Sequence, residues 1–222
     1  MDPSVLNALE RWPEVPAVYG WLSLSARGDW RLHPLGDANQ GGPGTGITNT
    51  QILGFIGRNY DREPDGAWYF QNGPQRVYVR LDAAPFVLHV MPSTGALITH
   101  NNLTVQRIDA WFADDAGQLY AQTELGAGRI DDRDLQILAE VLVTADGQSL
   151  IEVLDNLTPL TPHAAIRVFD LQARYAALQS PASLQVVACA DIPARMGFIA
   201  RPHKQELATT SVVSPPAERA HD

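Results

Sequence analysis

Apolar positions switch between a helical period and strict alternation along this chain, and each switch marks an element. Val5, Leu6 and Leu9 share one helical face behind Asp2 and Pro3, a cap and a helix start, and Pro13 and Pro16 end that helix. Residues 19–24 and 30–33 read as paired strands around a turn at Arg27, Gly28 and Asp29. A Gly-rich loop over 36–46 precedes a helix over 47–56, with Ile52, Leu53 and Ile56 on one face. Thr48 and Gln51 have the spacing of a capping box at its start.

The densest local signal comes next. Strands over 67–71 and 76–82 meet at Asn72-Gly73, a pair favoured in type I′ hairpins because both central residues need φ > 0. Pro74 has no N–H for a ladder and belongs at the strand's first, unpaired position. Val77, Val79 and Leu81 take one face, and Arg76, Tyr78, Arg80 and Asp82 the other. A short strand over 86–90 ends before Pro92.

A second round follows. Strands over 105–113 and 119–124 flank a turn at 114–117, and a helix over 130–142 buries Leu135, Leu138 and Leu142 behind Asp131 or Asp132 as cap. Strands are expected over 149–154 and 165–169, a helix over 171–178 behind Asp170, a strand over 184–190 and an edge at Phe198 and Ile199. Trp21 sets against Trp111, Gly28 against Gly117, the 47–56 helix against the 130–142 helix, and Asp65-Gly66 against Asp146-Gly147. The order agrees while the side chains differ, the pattern of an internal repeat. The expected fold is α+β: antiparallel sheets, each packed by a short helix, in two related units side by side. The units run over 1–100 and 101–201, with 202–222 a partly disordered tail.

Composition removes several partners. The net charge is −9, and of 16 basic residues only Lys204 is lysine, with no basic cluster to hold a phosphate backbone, so nucleic acid is not an expected partner. No run approaches the roughly 18 apolar residues of a membrane span, and the N-terminus lacks signal-peptide character. A cytoplasmic chain without a membrane partner is expected. The single cysteine, Cys189, can form neither an intrachain disulfide nor a multi-cysteine zinc site, and its apolar surroundings predict a buried thiol.

Candidate chemistry is sparse. The glycines at 41, 42, 44 and 46 lack the Gly-Lys-Ser/Thr ending of a phosphate loop. The six histidines show no metal-binding spacing, although His33, His89 and His100 lie in or beside predicted strands and could meet a carboxylate in space. No Gly-x-Ser-x-Gly elbow is present, and Asp114-Asp115 and Asp131-Asp132 read as a turn and a cap. No catalytic set, metal or cofactor is predicted. The remaining candidate is a surface: Trp68, Phe70, Arg76, Tyr78 and Arg80 on the hairpin, with Thr48 and Asn49 at an acid-free helix start. Aromatic faces and arginines hold planar or anionic ligands by stacking and charge-assisted hydrogen bonds, and free helix amides accept an anion. The competing reading of the hairpin is cross-strand packing with its arginines paired to carboxylates.

A non-enzymatic small-ligand or protein-binding role is therefore the leading expectation, with a small anionic or planar molecule as ligand. The alternatives are a small-molecule enzyme using His89 or His100 with a carboxylate, and a structural protein forming a homo-oligomer. Trp21-Leu22-x-Leu24, Gly28-x-Trp30 and above all the stretch from Trp68 through Asn72-Gly73 to Val79 also resemble a bacterial family of conserved proteins of unknown function. The resemblance spans most of 18–142. It implies a bacterial cytoplasmic protein and transfers no activity, cofactor or catalytic residue.

Overall fold

The computed structural model describes residues 1–91, 93–144, 147–155, 168–173 and 182–204. Helix α1 (Pro3–Arg11) is followed by strands β1 (Val18–Leu24), β2 (Trp30–Leu32) and β3 (Thr45–Gly46). Helix α2 (Thr50–Arg58) and strands β4 (Tyr60–Arg62), β5 (Trp68–Asn72) and β6 (Gln75–Leu81) complete a six-stranded sheet ordered β3-β2-β1-β6-β5-β4. Next come β7 (Phe86–Val90), β8 (Leu97–Thr99), β9 (Ile108–Asp114), β10 (Leu119–Thr123), β11 (Gly126–Ile130) and helix α3 (Leu135–Val141). The remaining elements are β12 (Leu142–Thr144), α4 (Leu150–Asp155), β13 (Val168–Ala173), β14 (Ala182–Val187) and α5 (Ile192–Met196). The second sheet is ordered β12-β13-β14-β9-β10-β11-β7-β8. No helix among the described residues is long and apolar enough to cross a membrane.

Read from β11 to β12, six strands of the second sheet repeat the order of the first. In each set the first and last strands in the chain lie side by side and parallel, β1 with β6 and β9 with β14, while the other neighbours are antiparallel. The α+β class and the two sheet units hold, but the sheets are mixed. Alternation along one strand says nothing about the direction of its neighbour, and a parallel pair requires a long crossover, here one containing a helix. Strands β7 and β8 extend the second sheet beside β11, although they precede residue 100.

The hairpin turns share one chemistry. Ser25 Oγ accepts from the N–H groups of Arg27 and Asp29, and Asp114 Oδ1 accepts from those of Ala116 and Gln118. Gly28 and Gly117 then correspond, each donating its N–H back to the carbonyl of the capping residue. Counting back from these turns, Trp111 matches Leu22 rather than Trp21. A one-residue offset changes the face of a strand, and Trp21 is 44% exposed where Trp111 is 2% exposed.

Several local expectations give way to stronger signals. The hairpin centre is Gly73-Pro74, closed by the Asn72–Gln75 pair, and only Gly73 has positive φ, 58°, as in a type II′ turn. Residues 150–155 are helical because Ser149 and Glu152 form a capping box: Ser149 N–H donates to Glu152 Oε2 at 2.7 Å and Glu152 N–H to Ser149 Oγ at 3.2 Å. The residues from 171 to 173 are strand, held between β12 and β14, so ladder pairing overrides the helical spacing there; expectations on 145–146, 156–167 and 174–181 lie outside the described residues. Cys189 is exposed in a turn after β14. Phe198 and Ile199 form no strand. Instead Ile199 N–H donates to Gly66 O and Ala200 O accepts from Leu81 N–H, carrying the chain back to the first sheet, where Pro202 is buried and its carbonyl accepts from Asn39 Nδ2.

A single apolar core runs through both sheets. Its junction is aromatic: Tyr60 lies 5.1 Å from Trp30 and 4.8 Å from Trp68, and Phe86 meets Trp68 edge to face. A Cβ on Gly126 would lie 2.9 Å from the Trp68 ring, so β11 can approach only without a side chain there. Side chains therefore fill the interface between the two units at this junction.

Candidate functional site

The open concavity lies at one end of the first sheet, on its core-facing side. Phe70 pairs with Val77 and Asn72 with Gln75, so these four residues of the hairpin share that face. Leu22 and Leu32 pair beside them. Between Val18 and Leu22, β1 advances four residues while β6 advances two, and Gly20 in this bulge has φ +80°. A Cβ on Gly20 would lie 2.2 Å from Gly36 O, so the bulge requires glycine. Bulges break the alternation of a strand and re-aim its side chains. Trp21 and Leu22, adjacent in the chain, consequently both line the concavity.

Helix α2 roofs the groove incompletely. Its cap is Asn49 rather than Thr48: Asn49 Oδ1 accepts from Gln51 N–H at 2.9 Å and Ile52 N–H at 3.1 Å. Ile56 is buried against the sheet, whereas Ile52, one turn earlier, is 49% exposed at the rim opposite Leu32, which is 46% exposed. The groove encloses about 490 Å³, and none of its lining side chains is ionisable. Asn72 and Gln75 supply its neutral polar end. Two features at the matching place differ in the second unit. Trp111 fills the position of Leu22, and α4, which has no counterpart in the first unit, adds Leu150 and Val153 to the core.

Of the expected ligand-binding residues, Phe70 alone lines the groove. Trp68 is buried in the aromatic junction. Arg76 is paired with the Glu63 carboxylate and lies over the Tyr69 ring at 4.2 Å. Tyr78 donates to Glu63 at 3.0 Å and stacks on Tyr19 at 4.5 Å, and burial, with Glu63 adding to it, pushes its pKa up to about 12. Arg80 is buried, paired with Asp82 at 2.9 Å and donating to the Ala38 carbonyl. The paired-arginine packing thus describes this face, and the guanidinium groups already have partners. Thr48 and Asn49 are exposed, but the Asn49 side chain occupies the helix amides that an anion would need. Tyr78 also borders a smaller pocket of about 350 Å³ with Tyr19, Asp65, His203 and Lys204.

The fold brings two histidines to carboxylates. Ser23 Oγ, His33 Nε2 and Nδ1, and Asp37 Oδ1 follow in the order of a hydrolytic triad, at 2.8 and 3.4 Å. Ser23 and His33 are fully buried, and Gly44 lies so close that a Cβ would sit 2.7 Å from the imidazole. An acyl group has no access to Oγ, and the network packs the 36–44 loop onto the sheet. His89 Nδ1 is 3.5 Å from Asp134 Oδ2 and 3.8 Å from Asp131 Oδ2. His100 lies instead among Trp30, Tyr60 and Phe86, where burial pulls its pKa down to about 3. Neither the groove nor the His89 cluster forms a local sequence motif, and the exposure of Trp21, Leu32 and Ile52 is visible only in the structure.

A family model, DUF2944, described as "Protein of unknown function (DUF2946)", matches residues 1–203. The chain belongs to this family. The match extends well beyond the 18–142 stretch that carries the sequence resemblance. A DUF1285 family protein from Silicibacter pomeroyi DSS-3 is 16% identical at a TM-score of 0.47, over 83% of this chain and 88% of that one. A second, from Shewanella baltica OS155, is 15% identical at a TM-score of 0.37, over 52% of this chain and 87% of that one. Both likenesses are too remote to carry a function across. No curated protein matches the sequence significantly.

Proposed function

We propose that the protein is a non-enzymatic binder of a small apolar molecule, held in the groove between α2 and the open end of the first sheet. The supporting observation is the uncharged lining of a concavity of about 490 Å³ with Trp21, Leu32 and Ile52 exposed on its rim. Ligand pockets typically span about 300–1,000 Å³ and combine apolar walls with a few polar groups. Asn72 and Gln75 can serve one neutral hydrogen-bonding end of such a ligand, and nothing in the lining would neutralise an anion. The expected anionic ligand therefore gives way to an uncharged one, planar or acyl in character.

Titration with the neutral dye N-phenyl-1-naphthylamine tests this reading. Saturable one-to-one fluorescence enhancement is expected, lost in Leu32→Glu and Ile52→Glu, whose exposed side chains can change without disturbing the core. Equal dye binding by both variants and the unsubstituted chain would overturn it. Self-association of the unsubstituted chain, abolished by the same substitutions and without dye uptake, would transfer the groove to the homo-oligomer reading.

A small-molecule enzyme remains the second reading, favoured by the approach of His89 to two carboxylates. His100 offers it little, being shielded by aromatic rings. The exposed thiol of Cys189 fits a cytoplasmic setting, where reducing conditions keep it free. We also read the shared strand order as an internal repeat, with the groove in its first copy.

A further inference from the structure

Strands β7 and β11 run parallel with Leu88 opposite Ile130, so the next residues, His89 and Asp131, emerge together at their carboxyl ends. Backbone bonds hold this arrangement on three sides. Asp131 N–H donates to Leu88 O, Asp134 N–H donates to Asp131 O, and Val90 N–H donates to Asp134 Oδ2 at 3.1 Å. One ligand atom from each of His89, Asp131 and Asp134 lies within 4.8 Å of the other two. The side chains are 25%, 4% and 15% exposed, respectively, so the cluster is mostly buried and opens to solvent at the imidazole.

The separations distinguish two uses of these groups. At 3.5 and 3.8 Å, neither carboxylate oxygen is within hydrogen-bond distance of the imidazole nitrogen. A direct His–Asp bond would bring one oxygen close and leave the other. Ligands about 2.1 Å from a shared tetrahedral cation stand about 3.4 Å apart, near the two separations of His89 from the carboxylates, 3.5 and 3.8 Å. We propose that His89, Asp131 and Asp134 bind one divalent transition-metal ion, with Zn²⁺ the best match.

The donor chemistry sets the class. One imidazole nitrogen with two carboxylate oxygens suits zinc and its neighbours, whereas Ca²⁺ and Mg²⁺ sites are built from oxygen alone. Three protein ligands leave a fourth position for water, as in catalytic zinc sites. Arg133 competes for this place. Its guanidinium pairs with Asp131 at 2.9 Å while its side chain is largely exposed, so it can swing away as the ion enters. This site is independent of the apolar groove, and either can fail without the other.

The test is titration of the full chain, stripped by chelator, with Co²⁺ followed by visible absorption and with Zn²⁺ in competition. One-to-one saturation is expected, with affinity at least ten-fold weaker in His89→Gln and at least as tight in Arg133→Ala, which frees Asp131. The metal-free thermal midpoint of His89→Gln shows whether that variant is folded. Should it unfold, Asp134→Asn, which retains an acceptor for Val90 N–H, reports the same loss of affinity. Absence of saturable binding by the unsubstituted chain, or unchanged affinity in a folded His89→Gln or Asp134→Asn, would overturn the proposal.

Discussion

Trp68 of β5 and Phe86 of β7 meet edge to face with ring centroids 5.1 Å apart, joining the first sheet to the second. Both side chains are buried, and the Trp68 ring also lies against Gly126 of β11. Trp68→Ala removes the shared ring and leaves a cavity at the junction. A destabilisation of about 3–5 kcal/mol is expected from the lost transfer energy and the void. Urea unfolding followed by circular dichroism measures it, and a midpoint equal to that of the unsubstituted chain would contradict the role of the junction.

His100 couples this junction to pH. Its pKa falls from 6.5 to about 3, chiefly through burial and secondarily through His89. The unfolded chain binds a proton below about pH 6.5 and the folded chain does not until about pH 3, so stability is full above 6.5 and declines as pH falls through that window. In His100→Asn, which keeps an acceptor for Val87 N–H, the decline between pH 6.5 and 4 should be shallower. Unfolding curves at intervals of half a pH unit compare the two slopes.

Asp114 and its counterpart Ser25 differ in their third bond, since Ser25 Oγ donates to the Asp29 carboxylate at 3.2 Å. Besides the two turn amides, Asp114 accepts from Tyr120 Oη at 3.1 Å, a buried bond. Asp114→Ala strands that hydroxyl, and an unsatisfied buried group costs about 1–3 kcal/mol. Ser25→Ala, which loses the turn bonds and the bond to the Asp29 carboxylate but strands no buried hydroxyl, should cost less. Thermal unfolding of the two variants side by side gives the order.

Asn49 caps α2 with two hydrogen bonds from an exposed position. Replacing it by alanine is expected to cost about 1 kcal/mol, and Thr48→Ala close to nothing. Chemical denaturation of both variants separates the true cap from its neighbour. Because α2 roofs the groove, Asn49→Ala should also weaken dye binding.

The sequence showed most where a feature is local. The hairpin, the two Gly-marked turns and the burial of Ile56 and Leu138 follow from spacing and turn residues, whereas Ile52, on the same predicted face as Ile56, is exposed at the groove rim. Competing local signals produced the errors. Ile151 and Val153 alternate like a strand, yet Ser149 and Glu152 start a helix there; Asn49, adjacent to Thr48, has the better geometry to cap α2. Trp21 and Trp111 invited alignment by identity, and only the hydrogen bonds of the turns revealed the offset between them.

By itself the sequence determined the α+β class and family membership, because each rests on patterns carried by local stretches of the chain. Tertiary structure alone decided that the sheets are mixed, that the hairpin arginines are already paired, and that the groove lies on the hairpin's inner face. It also brought His89 to Asp131 and Asp134, 42 and 45 positions further along the chain. Strand direction, bulges and carboxylate convergence are relations between segments distant in sequence, and local periodicity carries no information about them.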